Sequence, residues 1–308
     1  MKRYLASLLL AGLVVCRLVA QTPAPPPVAA QPAAPAAAKK ALFWKVSSEN
    51  NAIYLLGSVH FGSKAMYPLP KEIEDAFERS AAVIVEIDLN HVDMQKTLEM
   101  IQQVGLYPGG DTLWNHVSPE TRQQLEHFCD TYGMPAERLA MMKPWLVAVS
   151  IATIPMLKTG MVPDLGIDKY FLDKAKDKKR VVELESAEWQ LKLLSGFPDD
   201  VQEKYLAAGM KDADKAVELS KVMQETWISG DVARLEKLLA ENSTGPPEVQ
   251  KALLQERNPH MADVAEQFLK GKEAAFVMVG AAHLIGKDGV LATLEKRGYK
   301  VQQVALKK

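Results

Sequence analysis

Cysteine is almost absent from this chain. The 308 residues contain two, Cys16 and Cys129, so loss of a leader carrying Cys16 would rule out any intramolecular disulfide. Charge bias is absent too: 37 basic residues face 38 acidic ones, for a formal net charge of −1. No run of either sign forms the basic patch that a nucleic-acid surface requires, which excludes that class. No His-Glu-x-x-His is present, so the usual helical zinc-protease motif is excluded. No fixed-period repeat of the solenoid kind is visible. Past the first twenty residues the most apolar stretch is 143–157, too short to span a bilayer. Cys129 lies on the helical stripe Leu125, Phe128, Cys129, Tyr132, which assigns it to core packing and not to nucleophilic catalysis.

The first residues read as an export signal. Met1-Lys2-Arg3 is basic, 5–15 is apolar, and Ala20 offers a small residue for cleavage before Gln21. The expectation is an exported protein, periplasmic or secreted, with residues 1–20 as signal peptide. Left uncleaved, the same segment would tether the N-terminus to a membrane. Leu13-Val14-Val15-Cys16 resembles a lipidation box, but branched Val15 stands where a small residue belongs. Residues 21–40 are mostly Pro and Ala without hydrophobic period, as expected of a linker that cannot offset its ordering entropy. That leaves 41–308 as one domain.

Its pattern predicts an α/β fold, with α+β as the alternative: a central mixed, largely parallel sheet flanked by helices, with a helical insertion in the middle. Residues 41–46 and 52–56 read as a hairpin, 81–87 as a buried strand, 180–184 and 274–279 as further strands, and 299–306 as a last one. Helices are expected from Pro70, from Pro119 behind Ser118, over 143–157, 166–176 and 187–194, and through most of 199–242. Within the last, Gly230 marks a stop and Asp231 a restart. Two more helices, 259–270 and 291–296, alternate with the final strands.

Two segments share one arrangement. Ile53-Tyr54-Leu55-Leu56-Gly57-Ser58-Val59-His60 and Phe276-Val277-Met278-Val279-Gly280-Ala281-Ala282-His283 both read as apolar strand, glycine, two residues, histidine. Each histidine lands beyond the carboxyl end of its strand, where open α/β sheets place ligands. If the strands are neighbours and parallel, both imidazoles reach one crevice. His91, His116, His127 and His260 lack this context and read as surface or helix residues. Val83-Ile84-Val85 runs into Glu86-Ile87-Asp88, whose spacing of two would put the Glu86 and Asp88 carboxylates on one face of an extended segment. Imidazole plus carboxylate suits Zn, Mn, Fe or Co; the bland alternative leaves Glu86 capping a helix or pairing with lysine.

These motifs are similar to those of the TraB/PrgY/GumN family. The resemblance runs from Leu42-Phe43-Trp44-Lys45-Val46 and Tyr67-Pro68-Leu69-Pro70 through Val85-Glu86-Ile87-Asp88-Leu89, Gly166-Ile167-Asp168 and Leu184-Glu185-Ser186-Ala187-Glu188-Trp189. It closes with Glu256-Arg257-Asn258, Val279-Gly280-Ala281-Ala282-His283-Leu284 and Arg297-Gly298-Tyr299. The family includes the Tiki proteins, metal-dependent proteases with two Gly-x-x-His motifs and a glutamate. By that resemblance His60, His283 and Glu86 would be metal ligands, with Glu86 also a candidate base. Arg257 and Asn258 match a polar pair, the arginine a candidate for stabilising an oxyanion or clamping a carboxylate. Asp168 matches a motif that also suits a helix start. The expectation is a divalent-metal-dependent hydrolase acting on a peptide or small molecule. The competing class is an exported non-catalytic binder of peptide, metal or haem, or an envelope accessory protein.

Overall fold

A computed structural model describes residues 40–211, 213–242 and 245–306. The leader, Cys16 and nearly all of the Pro/Ala linker lie outside the described residues. Six strands form one sheet: β1 (Lys40–Ser47), β2 (Ala52–Ser58), β3 (Ala82–Val85), β4 (Arg180–Glu183), β5 (Ala275–Gly280) and β6 (Lys300–Ala305). Their order is β4-β3-β5-β2-β1-β6. β1 runs antiparallel to both its neighbours, while β2, β5, β3 and β4 are mutually parallel. The sheet is the mixed, largely parallel one that the sequence pattern implies, in an α/β fold.

The helices relevant here are α1 (Lys71–Arg79), α2 (Met94–Gly105), α3 (Pro119–Tyr132), α4 (Pro144–Ala152), α5 (Ile154–Lys158) and α6 (Ile167–Ala175), then α7 (Ala187–Ser195), α8 (Asp199–Met210), α9 (Ala213–Ser229) and α10 (Val232–Glu241). Last come α11 (Asn258–Lys270), α12 (Ala281–Leu284) and α13 (Val290–Lys296). Ser118 accepts from the Thr121 N–H at 3.2 Å, with Pro119 in the first turn, as the local sequence demands. Gly230 adopts φ 64° and Asp231 caps the Arg234 N–H at 2.9 Å, the stop and restart expected between α9 and α10. The 143–157 stretch is two helices, because Pro155 has no N–H to continue α4 and the chain re-enters at Thr153.

One sheet face carries Phe43, Tyr54 and Phe276, and Phe276 packs against Phe77 of α1 and Phe171 of α6. A buried phenylalanine is worth about 1.5–3 kcal/mol, and this cluster fixes α6 against the sheet. Over the opposite face, Trp227 of α9 donates its indole N–H to the Gly57 carbonyl at 2.8 Å. The helical middle has its own core, in which Ile101, Leu125, Phe128, Trp145, Leu191 and Leu206 meet. Cys129 is buried there and free, and burial pushes its thiol up to about 12. The thiolate is thereby suppressed and the residue packs. Among the described residues no helix is long and apolar enough to cross a membrane.

Candidate active site at the carboxyl rim of the sheet

β5 lies between β2 and β3, parallel to both. His60, Glu86 and His283 follow the ends of β2, β3 and β5 respectively, so all three emerge at the same rim. Two glycines make the approach close enough. A Cβ on Gly57 would stand 3.0 Å from the Ala281 side chain, so α12 starts hard against β2 only because that atom is missing. Gly280 turns its N–H onto a Glu86 oxygen at 2.7 Å, where a Cβ would come within 3.3 Å of the same oxygen.

Each imidazole is held from behind. His60 Nδ1 lies 2.9 Å from an Asp168 oxygen, and Asp168 is buried in the first turn of α6, where the helix dipole favours a carboxylate. His283 Nδ1 lies 2.7 Å from Asn258 Oδ1 at the start of α11. The orientation of that amide is fixed independently, since Asn258 Nδ2 donates to the Asp288 carbonyl at 2.8 Å and a carbonyl can only accept. Asn258 Oδ1 therefore accepts from Nδ1–H of His283, leaving Nε2 bare. With Nδ1 engaged by an acceptor in both rings, the Nε2 atoms carry the available lone pairs whenever the rings are neutral.

Glu86 is the hub. Its Oε1 receives the Gly280 N–H and lies 3.9 Å from His283 Nε2, while its Oε2 accepts from Arg257 Nη2 at 2.6 Å. Arg257 is buried, and it also grips Glu185 through Nε and Nη2 at 2.7 Å each and the Leu253 carbonyl through Nη1 at 2.9 Å. A single π turn, Lys251–Gln255, precedes it and delivers the guanidinium under the rim.

Electrostatics tie the groups together. Burial works to raise the Glu86 carboxyl, but His283, Arg257, His60 and the Gly280 N–H together hold it down at about 2. Burial drives His283 down to about 4, with Glu86 opposing. His283 is thus neutral at pH 7, and Arg257, His60 and the Gly280 N–H carry the stabilisation of Glu86 there. Burial would lower His60 as well, yet Asp168, with help from Glu86, lifts it to about 9.

Of the residues singled out in the sequence, Glu86 bonds Arg257 and lies 3.9 Å from His283, which bonds Asn258, and the separate His60–Asp168 pair is coupled to Glu86 through charge. Asp88 takes no part. β3 ends at Val85, the backbone bends, and the period-two parity is lost. The Asp88 carboxylate turns to His91 at 2.6 Å, and its N–H to Glu183. Glu185 appeared in the sequence only inside a family-like segment and not as a site candidate; it lies two residues past β4, as Glu86 lies one past β3.

Residues 42–303 match the TraB/PrgY/gumN family. The chain belongs to that family. Relatives within reach of this TraB/PrgY/gumN chain include the uncharacterized protein YbaP of Escherichia coli (strain K12), 27% identical over 245 residues, which is 78% of this chain and 87% of YbaP. An uncharacterized Treponema pallidum (strain Nichols) protein is 22% identical over 278 residues, covering 84% of this chain and 81% of its own. No solved structure matches this family member.

Among the described residues, no group of three or more His, Cys, Asp or Glu side chains stands at metal-ligand spacing. The donor chemistry nevertheless fits a divalent cation. Glu86 and Glu185 share the Arg257 guanidinium while Asp168 faces His60, so with both imidazoles neutral these three carboxylates leave two negative charges uncompensated. The raised His60 proton supplies one of the missing positive charges in the free protein. Buried anions without counter-charge are costly, and a divalent ion supplies both at once.

Proposed function

We propose that this protein is an exported, metal-dependent hydrolase of peptides or small amide and ester substrates, with its centre at the His60–Glu86–His283 rim. The observation that carries this reading is the pair of Nδ1-anchored imidazoles around a carboxylate cluster short of positive charge. His60 and His283 would hold the ion through Nε2, and Glu86 would hold it or accept a proton from water. The ion would supply Lewis acidity toward a carbonyl and toward water. Arg257, with donors committed to Glu86, Glu185 and Leu253, keeps Glu86 ionised and aimed. Glu185 and the π turn hold Arg257 in turn.

The test is metal analysis of full-length protein purified without chelators, followed by assay against a mixed peptide and ester library. Activity is expected to require a divalent ion. His60→Ala and His283→Ala are each expected to reduce kcat/KM by more than about 10³-fold while keeping the far-UV circular dichroism of the parent. Tight metal binding without turnover of any substrate would instead establish a binding protein. Full activity after exhaustive chelation would overturn the metal-dependent reading.

The residues behind the imidazoles give a graded version of the same test. Asp168→Asn and Asn258→Ala are expected to weaken divalent-ion affinity by about 10–100-fold, read by calorimetric titration. Gln190→Ala, whose amide donates to Glu185 at 2.9 Å, sits one step further out and should change affinity less than either.

A further inference from the structure

Ser58 closes β2 two residues before His60, is 2% exposed, and its Oγ has no hydrogen-bond partner among the described residues. A buried hydroxyl with nothing to bond is a net cost that alanine would avoid. Its position says what the hydroxyl faces. Tyr54, Leu56 and Ser58 alternate onto the sheet face that α6 covers, the face of Phe276 and Phe171. Along β5 their register partners are Phe276, Met278 and Gly280, so the neighbour of Ser58 on that face has no side chain to cover it. The space over Gly280 is bounded by Glu86 Oε1 and His283 Cδ2, which a Cβ there would meet at 3.3 and 3.6 Å. Ser58 therefore stands at the carboxyl end of β2 beside Gly280, the residue bordered by Glu86 and His283, and two residues before His60.

We propose that Ser58 is a ligand-facing residue of this site: its hydroxyl donates a hydrogen bond to an oxygen held among His60, Glu86 and His283, a water molecule when only the metal ion is bound. This rests on the metal-dependent reading above. The hydroxyl is kept unpaired in the free protein because its partner arrives with the ligand, the pattern of local cost accepted at a functional position.

The experiment compares full-length wild type, Ser58→Ala and Ser58→Thr by thermal unfolding without metal and by calorimetric titration with Mn²⁺ alone. Ser58→Ala is expected to match or exceed the wild-type Tm in the metal-free state, yet to bind Mn²⁺ about 10-fold more weakly. Ser58→Thr, which keeps a hydroxyl, is expected to restore most of that affinity. A Tm several degrees lower in metal-free Ser58→Ala would show a structural bond in the free protein and overturn the proposal. So would Mn²⁺ binding equal to wild type in Ser58→Ala. A wild type that binds neither Mn²⁺ nor Zn²⁺, Co²⁺ or Fe²⁺ would overturn the metal centre itself, a failure distinct from that of Ser58 alone.

Discussion

Arg257→Met is expected to destabilise the fold by about 3–5 kcal/mol, because it strands two buried carboxylates without their cation. Glu86 and Glu185 each lie against the guanidinium at 2.6–2.7 Å with side chains 5–6% exposed, so water cannot take its place. The pH dependence should weaken with the mutation. In the parent, burial opposes ionisation of Glu86 but its partners hold the group at about 2, below its ordinary 4.5. That ionisation therefore contributes stability in full above about pH 4.5, and the contribution is lost as pH falls from 4.5 toward 2. His283 acts in the same direction, its contribution draining away between about pH 6.5 and 4. Without Arg257 one of the partners that hold Glu86 down is gone and burial is opposed less, so the variant loses less stability from Glu86 than the parent does as pH falls. Urea midpoints at pH 4.5 and 7 would show the difference between parent and variant shrinking on acidification. Adding Glu86→Gln and Glu185→Gln should recover much of the loss. A difference independent of pH would mean that packing, not charge, is what Arg257 supplies.

The second large effect belongs to a glycine. Gly166 has φ −63° and ψ 145°, a backbone any residue adopts, so alanine there incurs no conformational strain. The obstacle is contact: a Cβ would stand 2.2 Å from the His60 carbonyl oxygen. Gly62 has the reciprocal problem, with Leu165 O at 1.8 Å from its absent Cβ. Between them Ile167 N–H donates to Val59 O at 2.9 Å, and Gly62 and Val162 exchange bonds at 3.1 and 2.7 Å. The turn bearing His60 is thus riveted to the start of the helix bearing Asp168. Gly166→Ala is expected to cost about 3 kcal/mol, the upper end for overpacking, because the neighbour is backbone and cannot rotate away. By displacing His60 from Asp168 it should also lower any metal-dependent turnover by about 10²-fold. Thermal unfolding together with kcat/KM checks both; a stable variant with parental activity would show that the turn can yield.

Much of this was legible beforehand, for stated reasons. Branched apolar runs ending in glycine gave β2 and β5, and the repetition of histidine three residues later gave the rim. Pairing of those two strands as parallel neighbours could only be expected, because it depends on a crossover that places the last parallel strand in the middle. Asp88 was misplaced because parity holds only while a strand continues, and β3 stops at Val85. Glu185 was passed over because an acid just before a helix reads equally well as a terminus residue. Ser58 carried no signal at all in sequence: a hydroxyl in an apolar strand is ordinary, and only the lack of any partner among the described residues makes it notable. Asp168 was visible as a helix-start acid, while its bond to His60 spans 108 residues and no local pattern encodes it.

The insertion of β5 between β2 and β3 has a consequence for biogenesis. Until the ribosome has delivered residues 275–280, β2 and β3 have no common neighbour and each presents an open edge that would welcome a stray strand. Nascent chains and C-terminal truncations ending before that point should be sticky and lack half of the candidate site, because the second histidine follows directly on the segment that seals the sheet.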